Sequence, residues 1–97
     1  MNFTFNGKPI LPTKTAMDEM SDIGLNLYEV PEILEKGFEI RKRGKDIIEK
    51  GVQRGNKIVN VVVVDRGTHF TLIHVGRFTA SKKFKRKRGD NYGIRES

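Results

Sequence analysis

Apolar residues in the first third of the chain recur every three or four positions, which is the spacing of an amphipathic helix. The first set follows Thr15, which stands three residues before Asp18 in a weak capping-box pattern, and it predicts a helix from about Lys14 to Asp22. A second set predicts another helix from about Tyr28 to Lys36, ended by Gly37. The apolar positions are Ala16, Met17, Met20, Ile23, Leu27, Val30, Ile33 and Leu34.

Beyond Gly37 the apolar pattern changes from helical to strand-like. The run from Ile58 to Val64 is β-branched and apolar on both faces, so it belongs in the middle of a sheet. The segment from Thr68 to Phe78 is rich in strand formers, and Asp65-Arg66-Gly67 between the two runs is a hairpin signal. The spacing in Ile47 to Gln53 suits either a helix or a strand, and the glycines around it favour a strand. The three segments together predict an antiparallel meander.

Near the N-terminus, Phe3 and Phe5 alternate with polar residues up to the turn dipeptide Asn6-Gly7. This pattern predicts a short edge strand or a small hairpin. Together the elements predict an α+β fold in which two N-terminal helices pack on a twisted antiparallel sheet, a β-meander, in two layers. We expect residues 1–80 to form this single domain. Residues 81–97 are expected to form a basic tail that self-repulsion keeps loose.

The last predicted strand contains His74, a residue with catalytic potential. Strict alternation places Phe70, Leu72, His74, Gly76 and Phe78 on one face and His69, Thr71, Ile73, Val75 and Arg77 on the other. His74 is therefore flanked by hydrophobic residues, as a structural core histidine is. An imidazole is also suited to general acid or base work near neutral pH. The sequence leaves both interpretations open.

The composition excludes several classes of protein. The chain of 97 residues has no cysteine, which excludes a disulfide scaffold, a thiolate zinc site, an iron–sulfur cluster and a cysteine nucleophile. This cysteine usage fits reducing cytoplasm, and the longest apolar run, Val61 to Val64, is far too short to span a membrane. The two histidines are predicted to point to opposite faces and no acidic pair accompanies either, so we expect no metal site. We also expect no cofactor. No phosphate-binding glycine loop and no serine nucleophile elbow are present.

Charge is divided unevenly along the chain, which has a formal net charge of +7 and a pI near 9.9. Up to Gly37 there are three basic and six acidic residues, a net charge of −3, and the remainder carries +10. Such a basic surface attracts polyanions, of which nucleic acid is the commonest in cytoplasm, although surface lysines can also serve solubility alone. The candidate nucleic-acid-binding residues are Arg41, Lys42, Arg43, Lys45, Lys82, Lys83, Lys85, Arg86, Lys87 and Arg88.

Four stretches of the chain resemble a known family. They are Ala16 to Met20, the helix segment LYEVPEILEKG, and the paired strand segments KIVNVVVVD and TLIHVGRFT. From about Thr13 to Phe84 the chain resembles a small uncharacterised prokaryotic domain family related to the RelE/ParE and BrnT toxins, in the barnase–EndoU–colicin–RelE group. The resemblance implies two helices packed on a twisted antiparallel sheet. It also implies RNA or the ribosome as a partner, metal-independent RNA cleavage, and an acidic antitoxin-like protein as a second partner.

If this chemistry is retained, the resemblance implies roles for particular side chains. His74 would act as general acid or base. Arg77, together with either Arg41 or Arg43, would stabilise the charge that develops on the phosphate.

The chain departs from the family pattern at two positions. Thr15 and Glu19 stand where relatives commonly carry His and Arg. Three hypotheses therefore stay open. They are a RelE-like endoribonuclease, a non-catalytic nucleic-acid-binding module with the same fold, and a small interaction domain that docks an acidic protein.

Overall fold

The computed structural model describes residues 3–80. Its elements in chain order are β1 (Thr4–Phe5), β2 (Lys8–Pro12), α1 (Lys14–Ile23), α2 (Glu29–Lys36), β3 (Phe38–Glu39), β4 (Ile47–Arg54), β5 (Lys57–Asp65) and β6 (Phe70–Thr79). Outside the described residues lies the basic tail 81–97, and with it Lys82, Lys83, Lys85, Arg86, Lys87 and Arg88. No helix within residues 3–80 is long and apolar enough to cross a membrane.

The six strands form one mixed sheet in the order β1-β2-β6-β5-β4-β3. Its centre, β4-β5-β6, is the predicted antiparallel meander, and Ile47–Arg54 is a strand rather than a helix. The α+β class is confirmed, but two details of the prediction are wrong. The sheet is mixed because β2 pairs with β6 in parallel, and the helices are not N-terminal, since the β1–β2 hairpin, itself predicted, precedes both of them.

The parallel β2–β6 pair places an apolar residue of β2 in the core beside the meander. Ile10 lies opposite Phe70 in the register, and both are buried. Lys8 donates a hydrogen bond to Oδ1 of Asp65 at 2.7 Å, and its Nζ lies 4.6 Å from the centre of the Phe70 ring. The hydrogen bond from Lys8, followed by one from the N–H of Gly67, holds the pKa of Asp65 below its usual value. These contacts fasten β2 to the β5–β6 hairpin.

Strand β5 is buried on both of its faces. The helix-side core consists of Ile10, Ala16, Met20, Leu25, Val30, Ile33, Leu34, Val59, Val61, Val63, Phe70, Leu72 and Val75. On the opposite side of β5, Ile58 is 0% and Val62 1% exposed. Full burial of a valine or isoleucine side chain contributes about 1.5–3 kcal/mol, so the burial of both faces makes β5 a large contributor to the stability of the fold. We call the side of the sheet away from the helices the outer face.

Helix α1 begins at the predicted residue, but its cap differs from the prediction. The N-cap is Thr13 and not Thr15, since the Oγ1 of Thr13 accepts the N–H of Ala16 at 3.0 Å. The N–H of Thr13 in turn donates to the carbonyl oxygen of Leu72 at 3.0 Å, directly after the last β2–β6 residue pair. The helix ends at Gly24, whose φ of 71° lies in the left-handed region that glycine adopts readily.

A β-bulge changes which side chains of β6 share a face. The register skips Ile73, because its neighbours Leu72 and His74 lie opposite successive residues of β5. The extra residue reverses the alternation beyond it. Leu72 faces the helices before the bulge, and after the bulge Val75 faces them while His74 faces the outer side. The predicted grouping of His74 with Leu72 is therefore wrong, because strict alternation ends at Ile73.

Replacing Thr13 by Ala is expected to lower the free energy of unfolding by about 1 kcal/mol, because the N–H of Ala16 loses its acceptor. The matched control is Thr15→Ala, which removes the same atoms from an exposed position inside α1. We expect the control to change the free energy by less than about 0.5 kcal/mol. Urea unfolding measures both values. An equal or larger loss in the control would contradict the assignment of the cap.

Candidate nucleic-acid interface on the outer face

The candidate site lies on the outer face, where β4, β5 and β6 present side chains in rows across the sheet. In one row, Glu49 of β4, Val62 of β5 and His74 of β6 are register partners. In the adjacent row, Gly51 of β4, Asn60 of β5 and Gly76 of β6 are register partners. Neighbouring strands are about 4.8 Å apart, so each row spans about 10 Å between β4 and β6.

Glu49 is a carboxylate buried in the sheet, with 1% of its side chain exposed. Its Oε1 lies 2.8 Å from Nε of Arg43 and 3.1 Å from Nε of Arg41, and its Oε2 accepts a hydrogen bond from Nδ2 of Asn60 at 2.8 Å. Both oxygens are therefore paired, as a buried charge requires. Two guanidinium charges against one carboxylate leave a net charge of +1. We call these four residues the Glu49 cluster.

The segment after β3 brings both arginines to one carboxylate. Arg41 and Arg43 are two residues apart, and side chains with this spacing in extended chain point to the same side. Ile40 anchors the segment, since its N–H donates to the carbonyl oxygen of Glu49 at 3.1 Å and its side chain lies over Gly51. A Cβ at Gly51 would stand 2.7 Å from Cδ1 of Ile40, so the glycine provides the space that this anchor occupies.

The arginines of the Glu49 cluster also reach solvent. The side chain of Arg41 is 61% exposed and that of Arg43 is 37% exposed. Lys42 and Lys45, in the same connection between β3 and β4, are exposed as well. A guanidinium presents its N–H groups in a planar fork that fits phosphate oxygens. The connection therefore offers four accessible cations, and Glu49 holds two of them in place.

Asn60 occupies the space left by a glycine on the neighbouring strand. A Cβ at Gly76 would stand 2.9 Å from Oδ1 of Asn60, which is closer than real side chains approach. The amide is thus held between two strands, with its nitrogen bonded to Glu49 and its oxygen over β6. The Glu49 cluster consequently extends across the sheet toward His74, which lies two residues before Gly76.

The bulge brings His74 to the outer face, next to Glu19 of α1. Pairing of β2 with β6 ends at Leu72, so the N–H of Val75 lies at the edge of β6 beyond β2. Oε1 of Glu19 accepts this N–H at 2.9 Å and lies 3.5 Å from Nδ1 of His74. The side chain of His74 is 52% exposed, so the imidazole is an accessible group and not part of the core.

Arg77, the other predicted catalytic residue, lies apart from this group. It pairs in register with Val59, whose side chain faces the helices, so its own side chain starts from the helix side of β6. The structure thus brings His74 to the face of the Glu49 cluster and leaves Arg77 on the opposite face.

Three residues of the site are not among those predicted from the sequence: Glu19, Glu49 and Asn60. Asn60 interrupts the apolar run from Ile58 to Val64, which indicates a buried polar partner, because buried polar groups are hydrogen-bonded. Glu49 is less conspicuous, since Lys50, Gln53 and Arg54 of β4 are polar as well. Glu19 gives no comparable signal, since its hydrogen-bond partner is a backbone N–H of a strand distant in sequence.

The helix layer and the strands differ in charge. Residues 14–36, which include both helices, contain two basic and six acidic residues, a net charge of −4, whereas residues 38–80 contain nine basic and four acidic residues, a net charge of +5. Glu29 accepts the N–H of Asn26 at 2.9 Å and pairs with Arg54 at 3.0 Å. The first contact, aided by the second, holds the pKa of Glu29 below its usual value despite partial burial. Because the net charge of the helix segment is negative and that of the strand segment is positive, a polyanion is attracted to the strands and repelled by the helices.

Comparisons with known proteins add no relative. No family model matches the chain, and no curated protein and no solved structure matches it. The resemblance to RelE-like proteins thus stays a prediction from the sequence. Within residues 3–80, no group of three or more His, Cys, Asp or Glu side chains is placed to hold a metal ion.

Replacing Glu49 by Ala is expected to lower the free energy of unfolding by about 2 kcal/mol, because two guanidiniums and the Asn60 amide lose their acceptor. The control is Glu39→Ala, which removes the same charge from an exposed position on β3. We expect the control to cost less than about 0.5 kcal/mol. Urea, which does not screen charge, is the denaturant of choice. Equal losses in the two variants would contradict a structural role for the cluster.

Proposed function

We propose that this protein binds RNA on its outer face, with Arg41 and Arg43 as the primary phosphate contacts. The observation that carries the proposal is the pair of guanidiniums fixed on one buried carboxylate, that of Glu49. Cations that serve solubility alone need no such anchor. The anchor restricts the arginines before a ligand arrives, so less conformational entropy is lost on binding.

Several further features support RNA as the ligand. Lys42 and Lys45 add exposed positive charge beside the arginines. The net charge of −4 on residues 14–36 repels a polyanion from the helix layer and so directs it to the outer face. Arg41, Arg43 and His74 are the accessible groups of this face, whereas its central side chains Ile58, Val62 and Glu49 are buried, so contact with RNA runs through the charged side chains. The resemblance to RelE-like proteins favours RNA over DNA.

The double variant Arg41→Ala/Lys42→Ala is expected to weaken binding of a labelled single-stranded RNA. It should also reduce the slope of log K against log salt concentration by about 1.4, since each phosphate contact with a single strand contributes about 0.7. Arg43 still pairs with Glu49 in this variant, so the connection keeps its place on the sheet. Fluorescence anisotropy at several salt concentrations measures the affinity and the slope.

The matched control is Lys14→Ala/Lys36→Ala, which removes two positive charges from the helix layer. Its salt slope is expected to equal that of the unmodified protein. An equal loss in both double variants would show that net charge, and not the outer face, governs binding. Absence of measurable RNA affinity at low salt would refute the proposal and leave an acidic protein as the partner class to test.

A second candidate function, metal-independent cleavage of RNA, is favoured by the bulge at Ile73. Bulges often re-aim a side chain next to an active site, and this one turns His74 from the core face to the outer face. There the imidazole shares a face with Arg41 and Arg43. A proton acceptor and cations on one face, about 10 Å apart across three strands, are the groups that such cleavage needs.

In the proposed reaction, Nε2 of His74 accepts the proton of a ribose 2′-hydroxyl. The 2′-oxygen forms a bond to phosphorus, the bond from phosphorus to the 5′-oxygen breaks, and the leaving oxygen takes a proton from water. The hydroxide that remains takes the proton from Nε2, which regenerates neutral His74. The products are a 2′,3′-cyclic phosphate and a 5′-hydroxyl. Arg41 or Arg43 stabilises the negative charge of the phosphorane oxygens. Arg77 has no role in this scheme, because its side chain starts from the other face of β6.

Replacing His74 by Ala is expected to lower the cleavage rate about 10²- to 10⁴-fold, the usual contribution of a general base, and to leave RNA affinity within about twofold. The control is His69→Ala, which removes the imidazole that contacts Thr68 and is expected to keep the rate. A denaturing gel of labelled single-stranded RNA, incubated with the full chain in EDTA at low salt, measures cleavage. Unchanged cleavage by the His74 variant would remove His74 from the mechanism.

A further inference from the structure

We propose that Glu19 is a positioning residue for His74. Its carboxylate keeps the imidazole proton on Nδ1 and so leaves the lone pair of Nε2 directed toward RNA on the outer face. The catalytic consequence rests on the cleavage function proposed for His74. The effect on the imidazole itself can be measured in the absence of any catalysis.

The carboxylate of Glu19 is held in place independently of His74. Its Oε1 accepts the N–H of Val75 at 2.9 Å, at the edge of β6 beyond the last residue that pairs with β2. The carboxylate thus stands where a neighbouring strand would place a carbonyl oxygen. At its other end, α1 fixes the residue, since Ala16 and Met20 of the same helix are buried in the core.

The fixed oxygen of Glu19 lies beside one particular nitrogen of the imidazole. Oε1 is 3.5 Å from Nδ1 of His74. A neutral imidazole carries one proton, and the neighbour of each ring nitrogen decides which of the two holds it. A negative oxygen beside Nδ1 stabilises the proton on that nitrogen. The contact is long for a hydrogen bond, so Glu19 acts on the imidazole proton through its negative charge.

The second ring nitrogen, Nε2, lies on the side of the imidazole away from Glu19. The side chain of His74 is 52% exposed. On the same face of the sheet, Val62 lies next to His74, and Glu49 with its two arginines lies beyond Val62. With the proton on Nδ1, Nε2 has the lone pair that can accept the proton of a 2′-hydroxyl. With the proton on Nε2, the ring would present a donor and would not accept it. Glu19 therefore selects the reactive form of His74.

Oε1 of Glu19 makes both contacts, so the variant Glu19→Gln removes the negative charge and keeps an oxygen at the same place. Its amide oxygen still accepts the N–H of Val75, so the edge of β6 and the fold are kept, while the negative charge beside Nδ1 is lost. The chain contains an internal control, His69, whose Nδ1 lies 3.0 Å from Oγ1 of Thr68. A purely structural role of Glu19 predicts no change at either imidazole.

Long-range 1H–15N correlation spectra of the 15N-labelled full chain, at a pH at which both imidazoles are neutral, report the protonated nitrogen of each histidine. His74 is expected to carry its proton on Nδ1 in the unmodified protein. In Glu19→Gln the neutral amide oxygen beside Nδ1 is a weaker acceptor than a carboxylate, so a measurable share of the His74 protons moves to Nε2, with His69 unchanged. In parallel, kcat for RNA cleavage is expected to fall at least about tenfold while KM changes by less than about twofold, because the charge acts on the imidazole and not on RNA binding.

A proton mainly on Nε2 of His74 in the unmodified protein would overturn the proposal, and so would the same ratio of the two protonated forms in both proteins. A fall in kcat without a change in the spectra would also overturn it, because the loss would then have another origin. If the unmodified protein does not cleave RNA, the cleavage function fails, and the spectra alone decide whether Glu19 orients His74.

Discussion

Strand β5 has to be covered on both faces, and the layers around it are arranged by this requirement. The two helices cover one face. On the other face, Ile40 lies over Gly51 beside Ile58, and the chain that follows Ile40 supplies two arginines. Guanidiniums at the edge of an apolar surface need an acceptor, and Glu49 provides it from within the sheet. The cationic surface is thus a consequence of how the core is closed, and the same segment excludes water from the sheet and presents charge to solvent.

Local spacing in the sequence was sufficient to predict both helices and the β4-β5-β6 meander to within a few residues. The parallel pairing of β2 with β6 was not predictable in this way, because Ile10 and Phe70 meet through packing and not through a local pattern. The bulge at Ile73 was not predicted, for a different reason. A period-two analysis assumes uninterrupted alternation, and one skipped residue reverses every later side chain without changing the composition of the strand. The position of His74 depends entirely on this detail.

The charged part of the candidate site was easier to predict than its polar interior. The cations of the connection after β3 are evident from composition, whereas Glu49 and Asn60 lie in strands where a polar residue is ordinarily assigned to solvent. Their contact requires the exact register between β4 and β5. Thr13 and Thr15 show the same limit on a smaller scale. Both have the chemistry of a helix cap, and the end of the β2–β6 pairing decides which of them acts as one.

The parallel pairing of β2 with β6 also has a consequence for synthesis on the ribosome. Ile10 leaves the exit tunnel about sixty residues before its partner Phe70. Until β6 has been synthesised, β2 lacks this neighbouring strand. The meander, whose strands are adjacent in sequence, can assemble before β2 adds to it. During that interval the strand is exposed to other nascent chains. Pro9 and Pro12 lack the backbone N–H that continued pairing needs, and Lys8 adds charge, so β2 is a poor template for association with foreign strands.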